Sequence, residues 1–270
     1  MHNINKVAAA LIAAFSLLAI APAANAGLVG LYTYDNASNL GLDTSGKGNN
    51  LVATGTVAAT SGVYGGGLNL EGNAALLSAT GTLAGLPTGD ASYTIASWIN
   101  PTQAGTGGIV GWGNYGAQNQ VVAFRMDGPT GLHNYWWAND LSAYTSTDLT
   151  AGNGASGWHF VAATYDAATD FNAIYIDGVL VNSRTASGLN SAGNSFAVGR
   201  TYGSEYFIGQ MDNTAVFNQA LSASQLSTIS RNDFSAFGVV KVPEPTSVLL
   251  LAIGAAAAGC VRRRSRQRAA

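Results

Sequence analysis

Seven aromatic side chains lie in or beside stretches rich in Asn and Gly: Trp112, Tyr115, Trp136, Trp137, Tyr144, Tyr202 and Tyr206. Aromatic faces stack on the apolar faces of sugar rings, while Asn, Asp and Gln bond the hydroxyls, so this mixture points to saccharide binding. Trp136 and Trp137 are adjacent on a predicted strand, so their side chains take opposite faces and only one can enter the core. The other faces solvent, a loop or a ligand. Trp112, Trp136, Trp137 and Tyr202 are the candidate ligand-binding residues. Lone exposed aromatics are also common on proteins that use them for nothing.

Catalysis would need other groups. Glycoside hydrolysis takes two carboxyls about 5 to 9.5 Å apart, one of them a general acid, which on a strand means acidic residues at i and i+2. Before the C-terminal segment the glutamates are Glu71 and Glu205, neither with an acidic neighbour at that spacing. Asp166 and Asp170 are four apart and are expected to cap a hairpin turn. Apart from His2 the histidines are His133 and His159, too few for a Ser-His-Asp triad or, without cysteines, a zinc site. His159 is expected to be a hydrogen-bonded strand histidine. Phosphate loops and dinucleotide fingerprints are absent from the sequence. The reading is of a protein that is not an enzyme.

The elements that must position these residues are short. Apolar, β-branched and aromatic runs are punctuated by Gly, Asn, Asp and Ser, with no long amphipathic helix, which is the pattern of a sandwich or barrel. Predicted strands are Leu28 to Tyr34, Ala74 to Ser78, Tyr93 to Ile99, Gly108 to Gly113, Val121 to Met126 and His133 to Trp137. Further on come Trp158 to Tyr165, Asn172 to Ile176, Val179 to Arg184, Ser195 to Val198 and Phe207 to Phe217. Asp177-Gly178 is the two-residue hairpin turn that takes positive φ. Ser222 with Gln225 forms a capping box opening a short helix, Ser222 to Ser230. Ala53 to Gly67, rich in Gly and Ala, reads as a loop.

Both ends are addresses. Lys6, the apolar run Val7 to Ile20, Pro22 and the small residues around Ala24-Asn25-Ala26 form a secretory signal, with signal peptidase cutting before Gly27. At the other end, Val242-Pro243-Glu244-Pro245 is stiff and non-helical. Sixteen mostly apolar residues follow, Thr246 to Val261, long enough for roughly 24 Å of helix, and then Arg262, Arg263, Arg264, Arg266 and Arg268. A short transmembrane helix held by cytoplasmic arginines is expected. The expected organisation is therefore residues 1–26 signal peptide, 27–241 one domain, and 242–270 tail.

Five of the nine arginines sit in that tail, so the domain between the ends is acidic despite a formal charge of −2 for the whole chain. A basic surface for nucleic acid is missing. Cys260, in the tail, is the one cysteine, so the exported domain has no disulfide and depends on burial of its core.

The proline-flanked glutamate, short apolar helix and terminal arginine cluster resemble the PEP-CTERM sorting signal of Gram-negative bacteria. The resemblance implies recognition by an exosortase, a membrane cysteine protease, then transient tethering to the inner membrane and release or transfer to the cell surface or exopolysaccharide matrix. A plain unprocessed anchor is the alternative.

The order of the domain's segments is similar to the LamG-like concanavalin A jelly roll. Those segments include Gly30-Leu31-Tyr32-Thr33-Tyr34-Asp35, Asp43-Thr44-Ser45-Gly46-Lys47-Gly48-Asn49 and Gly67-Leu68-Asn69-Leu70-Glu71-Gly72. Tyr93 to Ile99, Trp158 to Asp166, Ile174 to Val179 and Phe207 to Asp212 before Leu221-Ser222 complete the series. The resemblance implies an all-β, antiparallel sandwich with Trp98, Trp158 and Tyr165 in the core or at its rim. It also implies a structural calcium held by Asp43, Asn49 and Asp212, with Asp35 a weaker candidate; Asp43 and Asn49 equally suit an Asx turn. The Glu-x-Asp-x-x-Glu strand of related glucanases is missing from the sequence. Two functions follow as expectations: a non-catalytic carbohydrate-binding or adhesion module with extracellular polysaccharide as its partner, or a self-associating matrix or coat protein.

Overall fold

The structure, a computed structural model, describes residues 27–150 and 157–239. The signal segment and the sorting tail, with Val242, Pro243, Glu244, Pro245, Arg262, Arg263 and Arg264, lie outside the described residues. The strands are β1 (Leu28–Tyr32), β2 (Leu51–Thr54), β3 (Val57–Ser61), β4 (Gly66–Glu71), β5 (Ala75–Ser78), β6 (Tyr93–Pro101), β7 (Gly108–Gly113) and β8 (Val121–Met126). They continue with β9 (Gly131–Tyr135), β10 (Leu141–Tyr144), β11 (His159–Asp166), β12 (Phe171–Ile176), β13 (Val179–Thr185), β14 (Ala197–Val198) and β15 (Ile208–Phe217), followed by helix α1 (Ala223–Ile229).

Two antiparallel sheets form a sandwich. The first runs β13-β12-β11-β6-β15-β4-β3, with β1 pairing the C-terminal half of β15; the second runs β10-β9-β8-β7-β14-β5-β2. The core fills the space between them, with Tyr93, Trp112, Phe124, Trp136, Tyr165 and Phe196 as its large members. The period of two assigns each strand's faces. On β11, Val161, Ala163 and Tyr165 point into this core, while Phe160 and Ala162 point to the outside of the first sheet.

That outer face is covered. The segment from Leu221 through α1 to the turns after it brings Leu221, Leu226, Ile229 and Phe237 onto Phe160, Ala162, Ala215 and Phe217. The helix is opened by the predicted capping box, with Ser222 Oγ accepting from Gln225 N–H and the Gln225 side chain accepting from Ser222 N–H. The outer face of the second sheet carries a smaller apolar group, Val121, Ala123 and Tyr135, with Tyr115 and Trp137 packed on it.

Asp177 and Gly178 take φ of 51° and 81°, the left-handed pair a two-residue hairpin demands. Asp166 accepts from Ala168 N–H and Thr169 Oγ1, capping the β11–β12 turn as expected. The stretch Ala53 to Gly67 is a correction: it holds the end of β2, all of β3 and the start of β4. These strands lie toward the edges of their sheets and β3 is partly exposed on both faces, so no inside-outside alternation marks it in the sequence. β10, four residues long, is likewise absent from the predicted set.

Candidate functional site

Alternation on two neighbouring strands builds the site. On β8, Val122, Phe124 and Met126 face the core, which leaves Ala123 and Arg125 outward. On β9, Leu132 faces inward, so His133 and Tyr135 face outward; the chain continues with Trp136 in and Trp137 out. The register sets Arg125 opposite His133 and Ala123 opposite Tyr135. With Asp140 from the following loop and Glu205 from the loop before β15, these residues line an open cleft of about 280 Å³: Arg125, His133, Tyr135, Trp137, Asp140 and Glu205.

Trp137 sits at the edge of this cleft with φ of 74°. A bulky non-glycine residue in the left-handed region is strained, and such strain persists where surroundings hold it in place. Here the loop is wound back by Asp140, whose Oδ1 accepts from Trp136 N–H at 2.9 Å. The Trp137 ring meets Tyr202 edge-on at 4.8 Å and lies 5.9 Å from Tyr135, and Tyr202 lies 5.8 Å from Tyr115. Tyr115 can lie over the sheet because residue 111 is Gly: a Cβ there would come within 2.2 Å of the tyrosine hydroxyl oxygen. Tyr202 itself is 47% exposed.

The charged part of the cleft is tightly wired. Arg125 donates from Nη1 to the Met126 carbonyl at 3.1 Å and from Nη2 to His133 Nδ1 at 3.0 Å. Its Nη1 is 3.6 Å from Asp127 Oδ1, its Nε 3.8 Å from Glu205 Oε1, and the guanidinium lies 5.4 Å above the Tyr135 ring. Arginine only donates, so His133 Nδ1 is the acceptor and the ring proton is assigned to Nε2, which faces Asp140 Oδ2 at 3.6 Å. Burial pushes the Asp140 pKa up, but the His133 ring beside it and hydrogen bonds from the main-chain N–H groups of Trp136 and Trp137 outweigh it and hold the carboxyl below its ordinary value. Glu205 Oε2 accepts from Tyr135 Oη at 3.0 Å and Thr201 Oγ1 at 2.6 Å. Burial, and then the Glu205 charge, push the Tyr135 phenol up, so it stays a donor.

Of the predicted ligand-binding residues, Trp137 lines the cleft with Tyr202 packed against its ring, and the other two are removed. Trp112 and Trp136 are fully buried, donating from Nε1 to the Pro87 carbonyl at 3.1 Å and to Tyr93 Oη at 3.0 Å. Their assignment to a ligand surface is corrected: alternation turns both into the core.

The calcium set is also divided. Asp43 and Asn49 meet, but as a latch: Asp43 Oδ1 accepts from Leu31 and Ser45 N–H at 3.1 and 2.9 Å, and Oδ2 from Asn49 N–H at 2.9 Å. The Asn49 amide bonds the Val29 and Ala84 main chain. Asp212 stands elsewhere, with Asp35, and the two clasp the β3–β4 turn. Asp212 Oδ2 accepts from Tyr64 N–H at 2.9 Å, and Asp35 Oδ1 from Gly66 N–H at 2.8 Å. Asp212 is fully buried and its Oδ1 has no hydrogen-bond partner. Burial first, with the Asp35 charge adding, raises its pKa to about 7 against the pull of main-chain N–H groups. Among the described residues no three His, Cys, Asp or Glu side chains gather as a metal cluster. His159 is the hydrogen-bonded strand histidine expected, with Nδ1 2.8 Å from Asp177 Oδ2.

Arg125, His133, Tyr135, Asp140 and Glu205 are the site residues missing from the sequence reading. The signal was present in the spacing His133-x-Tyr135-x-Trp137, which puts two polar-tipped rings on one face of β9 and a third just beyond its end.

Two antiparallel sheets packed as a sandwich are the architecture of the concanavalin A-like class of jelly roll. Residues 71–227 match the Concanavalin A-like lectin/glucanases superfamily, more than half of the chain, and the chain belongs to that family. Residues 241–264 match the PEP-CTERM protein-sorting motif. No curated protein matches the chain. Among solved structures it is similar to domain 4 of AbnA, a GH43 extracellular arabinanase from Geobacillus stearothermophilus, solved in complex with arabinotriose. The identity is 22% and the TM-score 0.55, over 76% of this chain and 98% of that one. It is also similar to the binding domain of Paraclostridial Mosquitocidal Protein 1 (15%, TM-score 0.56, 75% of this chain) and that of botulinum neurotoxin serotype G (14%, 0.55, 76%). The alignment spans 51% of each of those two chains. At these identities the likeness is one of fold.

Proposed function

We propose that the protein is an exported, non-catalytic saccharide-binding module, and that the cleft edged by Trp137 and Tyr202 is its binding site. The observation that carries this reading is Trp137, held in a left-handed backbone conformation beside a cleft rather than buried like its neighbour. A sugar ring stacks on an aromatic face, while Glu205, Asp140 and His133 meet its hydroxyls. The domain whose structure contains arabinotriose shares the fold and supports a saccharide as the ligand class.

Hydrolysis does not suit these groups. A general acid needs a raised pKa, whereas Asp140 is held low. Asp212, the raised carboxyl, is fully buried and out of a substrate's reach. The PEP-CTERM match supports delivery by exosortase-type sorting: signal peptidase removes residues 1–26, and the tail 242–270 tethers the domain to the inner membrane before its passage to the cell surface or exopolysaccharide matrix.

A structural calcium suits Asp35 and Asp212 better than Asp43 and Asn49. The buried, unpartnered Asp212 Oδ1 is the hard oxygen such an ion takes, whereas the Asp43 oxygens already hold three main-chain N–H groups. Bound there, the ion would supply the positive charge that the two carboxylates lack.

Retention of the purified protein on the exopolysaccharide of the producing cells tests the main reading. Retention that Trp137→Ala with Tyr202→Ala removes is expected; a wild-type protein that flows through would overturn it.

A further inference from the structure

We infer that the cleft selects saccharides presenting free amines over those presenting carboxylates or sulfates, a refinement that rests on the saccharide-binding reading above. The basis is which hydrogen-bonding valences remain open. Arg125 is the guanidinium lining the cleft, and it is spent inside the protein. Nη1 holds the Met126 carbonyl with Asp127 at hand, and Nη2 holds His133. Nε has no hydrogen-bond partner but is buried, 3.8 Å from Glu205 Oε1, and so closed to a ligand. The Tyr135 ring covers one face, and the side chain is only 12% exposed. An incoming anion would have to displace a carboxylate that is already there.

The acceptors are in the opposite condition. Glu205 commits Oε2 to Tyr135 and Thr201, while Oε1 meets only that long approach from Arg125. Asp140 takes the main-chain N–H groups of Trp136, on Oδ1, and Trp137, while Oδ2 lies 3.6 Å from His133 Nε2, beyond a good hydrogen bond, on a side chain 38% exposed. The lining thus sets two carboxylates against one guanidinium. Just outside it, Asp127 lies 3.6 Å from Arg125, and Arg184 donates to the Asp140 carbonyl at 2.8 Å. Carboxylate oxygens with open lone pairs call for donors. An ammonium brings three N–H groups and a charge, and charge-assisted hydrogen bonds are about twice as strong as neutral ones. The faces of Trp137 and Tyr202 add attraction for a cation. The surrounding domain reinforces the sign: between Gly27 and Lys241 thirteen carboxylates face six lysines and arginines.

The test is calorimetric titration of the purified protein, at low ionic strength and below the sugar amine's pKa, with three probes of equal length. These are a glucosamine oligomer with free amines, its fully N-acetylated counterpart, and an oligo-uronate. The free-amine oligomer is expected to bind about tenfold tighter than the acetylated one, the effect of one charge-assisted bond. The uronate is expected to bind least. The ratio should shrink toward one in about 0.5 M salt, and in a Glu205→Gln, Asp140→Asn variant whose melting curve verifies its fold. Equal or tighter binding of the acetylated or uronic probe overturns the inference and leaves saccharide binding standing. Binding of none of the three, with no retention on the producer's own polysaccharide, overturns both.

Discussion

His133 stands across the β8–β9 pair from Arg125, its Nδ1 3.0 Å from the guanidinium Nη2. The contact makes the histidine an acceptor on one side and a donor toward Asp140 on the other, so one ring links the cleft's cation to one of its carboxylates. Arg125 is therefore a structural member of the cleft. Arg125→Ala leaves Glu205 and Asp127 without their cation and uncovers Tyr135, and should destabilise the protein by about 1–3 kcal/mol, between the values for exposed and buried pairs. Urea denaturation reads this. A loss under about 0.5 kcal/mol, the range of a neutral surface change, would show the pairing to be incidental.

The adjacent tryptophans should separate stability from binding. Trp136→Ala removes a fully buried ring and its bond to Tyr93, at a cost of about 3–5 kcal/mol. Trp137→Ala should cost far less stability and abolish saccharide retention. Because residue 137 has φ of 74°, Trp137→Gly should be about 0.5–1 kcal/mol more stable than Trp137→Ala. The same pair of variants losing stability equally would refute the assignment of faces.

The two halves of the divided acidic set should behave differently toward calcium. Asp43→Ala frees three main-chain N–H groups and should destabilise by about 2–4 kcal/mol whether or not calcium is present. Asp35→Asn and Asp212→Asn should remove any calcium-dependent rise in melting temperature, measured against chelator. A calcium effect that survives in both would place the ion elsewhere.

Asp212 also predicts a pH profile for the chelated protein. Its folded-state pKa of about 7 lies above the ordinary 3.8, so folding favours the protonated acid. That contribution is fully present below about pH 4 and is lost as pH rises through 7, a decline of a few kcal/mol at most. Asp212→Asn should flatten the profile over that interval. Calcium, which favours the ionised form, should stabilise the wild type more at pH 8 than at pH 5. A wild-type profile already flat in chelator would remove this account of Asp212.

Much of the sandwich was legible because its central strands carry strong patterns. Trp158 to Tyr165 alternates cleanly, Asp177-Gly178 marks its hairpin, and Ser222 with Gln225 opens its helix, all as observed. The edge region from Ala53 to Gly67 was illegible because small residues half-exposed on both faces leave no period to read. The cleft was half legible. Alternation told that one of Trp136 and Trp137 must leave the core, and the sheet's register then decided it. Arg125 and Glu205 could not be joined from sequence, because eighty positions separate them and only the pairing of β8 with its neighbours and the return of the 201–206 loop brings them within 3.8 Å. The division of Asp43 from Asp212 is likewise tertiary, since each of these buried acids looks alike until its hydrogen-bond partners are known.

The most direct measurement of the central claim follows the indole N–H signals of the five tryptophans by NMR while a retained saccharide is added. The Trp137 signal should shift in a saturable way, with Trp112 and Trp136 unmoved in the core. Saturation of the protein with Trp137 unchanged, or with the response confined to Trp98 or Trp158, would contradict the placement of the binding site.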